Sequence, residues 1–164
     1  MSKCLPKRSR MKSMRTGMKK SKKLSIVLDA NWYVSACISR NSRRTLYYNI
    51  LKNTDLQVFY SSDLIDEFSD VIERPKFSKY ISRKQINRFK IIALKFLKKT
   101  SDGIAPEIAR DVDDNYLLGV CESSKADYLV TGDQDLLVLS QYQQTKIVTM
   151  GQFIKILTLS QPAG

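Results

Sequence analysis

The sequence predicts a three-layer α/β/α domain, in which helices cover both faces of a parallel sheet. Short apolar runs rich in β-branched residues alternate with segments of helical periodicity, which is the pattern of βαβ units. The length of 164 residues suits one domain or two, and 43% hydrophobic with 27% charged residues is typical of a globular protein. No run of 18 apolar residues exists, so we expect neither a transmembrane helix nor a membrane partner.

The first two predicted strands are short apolar runs, and a helix is predicted between them. Leu24–Leu28 ends abruptly at Asp29 and predicts a buried strand. Ser42 is predicted to cap a helix whose apolar residues recur at helical spacing up to Leu51. Leu56–Tyr60 predicts the second strand.

The next two helices have clear starting signals in the sequence. Ser61 or Ser62 is predicted to cap a helix that stops before a proline. Ser82 and Gln85 form a capping-box pattern, which predicts a long helix over residues 82–99. That segment carries seven basic and no acidic side chains, so it is either a contact for RNA phosphates or an ordinary solvated face.

The carboxy-terminal part predicts two more strands and two more helices. After a break at Gly103 and Pro106, a helix is predicted from Asp111 to Ser123. The remaining strands and the last helix are predicted at Tyr128–Thr131, Lys146–Thr149 and Gly151–Leu157.

The positive charge of the chain is concentrated at its beginning. Of 28 Lys and Arg residues, ten lie in residues 1–23 with no acid among them, which leaves 18 basic and 16 acidic residues in 24–164. We therefore expect a flexible basic tail over 1–23 and a nearly neutral single domain over 24–160. The tail is interpreted as an electrostatic contact for nucleic acid, as a transit-like segment, as a solubilising extension, or as an over-extended start, since Met11, Met14 and Met18 are all possible starts.

Histidine is absent from the chain. Its absence excludes Ser-His-Asp and Cys-His nucleophilic sites, histidine-based cleavage of RNA and Cys/His zinc sites. The three cysteines are odd in number and widely spaced, which indicates a reducing compartment, and we expect a cytoplasmic protein. Any chemistry therefore depends on carboxylates, hydroxyls, lysines or a metal ion.

Acidic residues follow the predicted strands at the points where ligands bind in open α/β sheets. Asp29 follows the first strand, and Asp133 follows the strand at Tyr128–Thr131. Glu67 lies early in the helix after the second strand and borders its apolar arc, so we expect it to face inward.

The segment Asp111–Asn115 adds three more acids, and helix capping explains one or two of them. Periodicity does not choose between Asp113 and Asp114. Carboxylates about 4 Å apart repel by several kcal/mol at an intermediate dielectric, so a shared cluster favours a hard metal ion such as Mg²⁺ or Mn²⁺.

The order of these acidic segments resembles the PIN domain family, particularly its VapC-like bacterial toxin branch. The matching segments are 26–31, 61–68, 110–115 and 126–137. The resemblance covers most of the predicted domain and implies about five parallel strands in the order 3-2-1-4-5. It also implies a divalent-metal-dependent ribonuclease.

The resemblance implies roles for individual residues. The catalytic and metal carboxylates fall on Asp29, Glu67, Asp114 and Asp133, with Asp135 as an auxiliary ligand and Asn31, Thr131 and Asp111 as supporting residues. The family often has Thr where this chain has Ala30, which removes a hydroxyl but no ligand. With Mg²⁺ or Mn²⁺ bound, hydrolysis by water leaves a 5′-phosphate and a 3′-hydroxyl.

RNA is the partner that the resemblance implies first. The candidate contacts for RNA are Lys19, Lys20, Lys22, Lys23, Arg43 and Arg44. The toxin branch adds a small antitoxin protein and a homodimer as candidate partners. The alternative is a catalytically silent PIN-like module that binds RNA or assembles with other proteins. An Asp-nucleophile phosphohydrolase is disfavoured because it needs a second Asp where this chain has Asn31.

Overall fold

The computed structural model describes residues 22–101, 107–108 and 114–160. Its strands are β1 (Leu24–Leu28), β2 (Leu56–Tyr60), β3 (Leu97–Lys99), β4 (Tyr128–Val130), β5 (Gln141–Tyr142) and β6 (Thr145–Val148). Its α-helices are α1 (Ala30–Ile38), α2 (Arg40–Arg44), α3 (Ser62–Ile72), α4 (Arg83–Leu94), α5 (Asn115–Ser124), α6 (Gln134–Leu137) and α7 (Met150–Ser160). A π-helix, Thr45–Leu51, continues α2, and a 3₁₀ turn, Pro75–Phe77, follows α3.

The six strands form one sheet in the order β3-β2-β1-β4-β6-β5. Every pair from β3 to β6 is parallel, and only β5 pairs antiparallel with its neighbour β6. The five parallel strands therefore confirm the order 3-2-1-4-5, and the two-residue strand β5 adds an edge.

Helices cover both faces of the sheet. Ile26, Val27 and Leu28 are all buried in β1, although successive side chains of a strand point to opposite faces. A strand that is buried on both faces belongs to the middle layer of a three-layer fold. The predicted fold class is therefore confirmed.

The first helical region differs from the prediction. Ser42 does not cap a helix, because it lies within α2, and the Ser39 hydroxyl accepts the backbone N–H of Ser42 at 3.3 Å. The helix α1, which begins directly after β1, was not predicted. Its side chains show little amphipathic contrast, since most of them are buried, so helical periodicity is weak there.

The predicted helix over residues 82–99 is too long. Its capping box is confirmed, because the Ser82 hydroxyl accepts the N–H of Gln85 at 3.2 Å and the Gln85 side chain accepts the N–H of Ser82 at 2.8 Å. The helix α4 nevertheless ends at Leu94, and Leu97–Lys99 forms the edge strand β3 beside β2.

The other predicted elements are found with small changes at their ends. Of the predicted helix from Asp111, the described part is α5, which begins at Asn115; Asp111 and Asp113 lie outside the described residues. Gly103, Pro106 and the tail up to residue 21, including Lys19 and Lys20, also lie outside them. None of the described helices has the length and hydrophobicity that a membrane span requires.

Candidate metal centre at the sheet edge

The first acid of the site is held where β1 ends. Asp29 is 4% exposed and caps α1, and its Oδ1 accepts the backbone N–H of Asn31 at 3.2 Å. Its Oδ2 accepts the hydroxyl proton of Thr131 at 2.6 Å. Both carboxylate oxygens are thus oriented by the fold, and Asn31 contributes through its backbone while its side chain is exposed.

The loop after β4 continues this chain of hydrogen bonds. The backbone N–H of Asp133 donates to the Thr131 hydroxyl at 3.0 Å, and the Asp133 carboxylate accepts the N–H of Asp135 at 2.9 Å. Asp133 thereby caps the short helix α6. Thr131 is fully buried, and it joins the ends of β1 and β4 through side-chain contacts.

Glu67 enters the site from α3. This helix begins after β2, and the buried Ser61 hydroxyl caps it by accepting the N–H of Leu64 at 3.3 Å. Glu67 is half-buried, whereas Asp66, Asp70 and Glu73 are exposed. Glu67 is therefore the acid of α3 that faces inward, as its position on the helical wheel predicts.

The start of α5 supplies Asp114 and two neighbours. Asp114 occupies the N-cap position, but its side chain does not cap the helix. Asn115 is buried, and its side-chain oxygen accepts the N–H of Ile108 at 3.2 Å. The hydroxyl of Tyr116 donates a hydrogen bond to Oε2 of Glu67, which links α5 to α3.

Three carboxylates converge at this edge of the sheet. Asp114, Asp133 and Asp135 each offer an oxygen within 4.8 Å of the others, and all three side chains are half-buried. Carboxylates at such separations repel one another unless a cation lies between them. An all-oxygen set of this kind fits the preference of Mg²⁺ or Mn²⁺. Asp29 and Glu67 border this set without belonging to it.

The electrostatics of the neighbouring groups reflect this concentration of acids. Burial raises the pKa of Asp29 above its ordinary value of 3.8; hydrogen bonds from Thr131 and Asn31 oppose the rise, and the charge of Asp133 adds to it. Burial, the hydrogen bond to Glu67 and the charges of Glu67, Asp29 and Asp114 raise the pKa of Tyr116 far above its ordinary range. Tyr116 therefore stays a hydrogen-bond donor.

The four predicted contacts for nucleic acid that the structure describes do not gather at the acids. Lys22 and Lys23 are exposed and precede β1, so they lie at the amino edge of the sheet, opposite Asp29. The guanidinium of Arg43 donates to the carbonyls of Ala36 and Cys37 at 3.0 and 3.2 Å and so covers the end of α1. Arg44 lies over the ring of Tyr48, 5.9 Å from its centroid.

Sequence reasoning missed two features of this edge. No sequence motif identifies Tyr116 as a residue of this edge. The sequence does place it directly after Asp114 and Asn115, near the start of a predicted helix. Lys98 and Lys99 were placed on a helix, whereas they lie in β3, and Lys99 pairs in register with Tyr60 at the end of β2. Lys99 therefore lies at the same sheet edge as the acids.

The fold is a parallel α/β sheet with a cluster of carboxylates at its carboxyl edge, which is where open α/β sheets bind their ligands. The chain belongs to the PIN domain family, whose members are generally nucleases, because a family profile described as PIN domain matches residues 25–135. The resemblance seen in the sequence is thus confirmed. No protein with curated annotation matches the chain significantly.

The chain shares its fold with several solved structures, and two of them illustrate the likeness. The crystal structure of PAE2754 from Pyrobaculum aerophilum is 18% identical with a TM-score of 0.55, over 84% of this chain and 91% of that one. The crystal structure of VapBC2 from Rickettsia felis, bound to a DNA fragment from their promoter, is 15% identical with a TM-score of 0.51, over 76% of this chain and 97% of that one. At these identities the likeness concerns the fold alone.

Proposed function

We propose that this protein is a divalent-metal-dependent endoribonuclease and the toxin of a toxin–antitoxin pair. The observation that carries the enzymatic part is the convergence of Asp114, Asp133 and Asp135 at the edge where β1 and β4 end. Membership of the PIN domain family supports the same conclusion. The fold likeness to the VapBC2 structure motivates the toxin role.

The donor set fits Mg²⁺ or Mn²⁺, and Asp114, Asp133 and Asp135 would hold the ion, with Asp29 and Glu67 completing the site. When bound, such an ion lowers the pKa of a water molecule and neutralises charge on the phosphate. Thr131 and the N–H of Asn31 orient Asp29 for this role, since each holds one of its carboxylate oxygens. Hydrolysis by water then leaves a 5′-phosphate and a 3′-hydroxyl.

The charge along the carboxyl edge supports RNA as the substrate. Along this edge, neighbouring strands are followed by different residues. Asp133 comes after β4, Asp29 after β1 and Ser61 after β2, and Lys99 is the last residue of β3. Two strand spacings separate β1 from β3, so Lys99 lies about 10 Å from the end of β1. We propose that Lys99 contacts an RNA phosphate next to the one that is cleaved.

A groove between α2 with its π-helix and α4 supports a protein partner. It has a volume of about 500 Å³, and its walls are mainly apolar. Its residues include Leu46, Tyr47, Leu51, Phe89 and Ile92, with Arg43, Arg44 and Arg88 as its charged members. No acidic side chain of the described residues lines it. We propose that an amphipathic, acidic segment of a small antitoxin binds there, because the chain's own basic tail would be repelled.

The nuclease proposal is tested with the purified full chain, single-stranded and structured RNAs, and Mn²⁺ or Mg²⁺. We expect cleavage that EDTA abolishes and products that carry 3′-hydroxyl ends. Asp133→Asn should be inactive, whereas Asp66→Asn, which changes an exposed acid of α3, should cleave normally. Cleavage in EDTA or 2′,3′-cyclic phosphate ends would contradict the mechanism. RNA binding without cleavage would support the silent module instead.

The toxin proposal is tested by induced expression in a bacterial host. Wild type should arrest growth, and Asp133→Asn should not. Co-expression of a small protein encoded beside this gene should restore growth for wild type but not for Arg88→Glu, which reverses a charge in the groove. Growth that continues despite an active nuclease would contradict a toxin role.

A further inference from the structure

Tyr116 lies where the acids of three elements meet. Its hydroxyl donates to Oε2 of Glu67 on α3, and the charges of Asp29 and Asp114 also act on it. The side chain is half-buried and comes from α5, two residues after Asp114.

We propose that Tyr116 is a positioning residue that holds the Glu67 carboxylate in the orientation needed at the metal centre. This inference rests on the proposed function, because it assigns Glu67 to the metal-dependent site. Tyr116 itself does not touch the metal ion or the substrate in this proposal. It acts only through Glu67.

Glu67 needs such a contact because its side chain is long and its neighbours are negatively charged. Glu67 has three rotatable bonds, and the charges of Asp29 and Asp114 repel its carboxylate from the centre. The hydrogen bond from Tyr116 opposes both effects. It restricts the rotation of the Glu67 side chain, and it stabilises the negative charge on one carboxylate oxygen. A neutral hydroxyl does this without adding a positive charge that would compete with the metal ion. Hydrogen-bond partners of metal ligands typically change metal affinity about 10- to 100-fold.

The fold supplies a matched control for this contact. Tyr142 in β5 also donates its hydroxyl to a glutamate, Oε2 of Glu122, at 3.2 Å. Glu122 is exposed and lies in the last turn of α5, away from the end that carries Asp114. Tyr→Phe at either position removes the same hydroxyl from the same kind of pair, but only Tyr116 contacts the candidate centre.

The experiment measures Mn²⁺ binding to the EDTA-treated, dialysed full chain by isothermal titration calorimetry. The variants are Tyr116→Phe, Tyr142→Phe, Glu67→Gln and the double variant Tyr116→Phe/Glu67→Gln. We expect Tyr116→Phe to weaken Mn²⁺ binding about 10- to 100-fold and Tyr142→Phe to leave it unchanged. The double variant should bind Mn²⁺ no more weakly than Glu67→Gln alone, because Tyr116 acts through Glu67.

Each outcome decides a separate point. Unchanged Mn²⁺ affinity in Tyr116→Phe overturns the inference, and so does an equal additional loss in the Glu67→Gln background. If wild type binds no Mn²⁺ at all, the proposed function fails instead. Should Tyr116→Phe melt before the titration temperature, Glu67→Asp replaces it, since the shortened acid keeps its charge but loses its reach to Tyr116. Glu67→Asp should then show the same weakening, and normal affinity in that variant overturns the inference.

Discussion

The neighbouring strands β1 and β2 end in the same way but with different residues. Asp29 and Ser61 are both buried, and each caps the helix that follows by accepting a backbone N–H. A serine hydroxyl therefore suffices for a buried cap at this edge. The carboxylate of Asp29 has a second oxygen, which accepts a hydrogen bond from Thr131. Burial raises the pKa of Asp29, which means that burying its negative charge costs free energy. The neutral hydroxyl of Ser61 avoids that cost. Under the proposed function, we expect Asp29 to serve the metal centre and Ser61 to serve the fold.

The largest expected difference between the two caps is in RNA cleavage. Asp29→Asn should lower the cleavage rate by more than about 100-fold, since losing a carboxylate that is proposed to complete the metal site should exceed the loss of an outer hydrogen bond. Ser61→Ala should change it by less than about 10-fold, because the hydroxyl caps the start of α3. The measurement is the initial rate on one RNA with saturating Mn²⁺. Equal losses in both variants would remove the distinction.

The second difference concerns stabilisation by metal. At an Mn²⁺ concentration about 100-fold above its dissociation constant, the free energy of unfolding of wild type should rise by about 2.7 kcal/mol. Ser61→Ala should show the same rise and Asp29→Asn a smaller one, because Asp29 borders the three carboxylates that would hold the ion and is proposed to complete their site. Urea unfolding with EDTA and with Mn²⁺ measures both values. An undiminished rise in Asp29→Asn would place Asp29 outside the metal site.

The third difference concerns the metal-free protein and its dependence on pH. Ser61→Ala should lose about 0.5–2 kcal/mol of stability at every pH, since a cap is removed. The folded-state pKa of Asp29 lies above 3.8, so the folded protein keeps a proton that the unfolded chain has lost. The contribution of Asp29 to stability therefore falls as the pH rises from about 4 through the folded-state pKa of Asp29.

Asp29→Asn removes this titration. We expect its stability relative to wild type to increase as the pH rises from about 4 to neutrality, so that the metal-free variant becomes at least as stable as wild type. Urea unfolding in EDTA across this pH range measures the difference. A loss of stability in Asp29→Asn that grows with pH would show that the carboxylate stabilises the fold.

The smallest expected effect concerns RNA binding at the end of β3, where Lys99 lies. Lys99→Gln should reduce the slope of log K against log salt for single-stranded RNA by about 0.7, the value for one phosphate contact. Lys146→Gln is the control, because Lys146 is also exposed on a strand of this sheet but pairs with Tyr128 near the amino edge. Binding is measured in EDTA to prevent cleavage. Equal slopes in all three proteins would argue against an RNA contact at Lys99.

The acids at the strand ends were predictable because their signals are local. An apolar run that stops at an acid marks both the strand and the edge, which identified Asp29 and Asp133. The helical wheel of α3 similarly separated Glu67 from its exposed neighbours. The strand β3 was missed because its three residues continue the periodicity of α4 and only pairing with β2 makes them a strand. Tyr116 was missed because its role depends on a contact with a residue 49 positions away.

The bridge between Asp29 and Thr131 joins residues 102 positions apart in the chain. Thr131 is itself held by β6, since its backbone N–H donates to the carbonyl of Val148 at 2.9 Å. A chain that is still being synthesised therefore lacks part of the set of contacts that holds Asp29 and Thr131 together until β6 has left the ribosome.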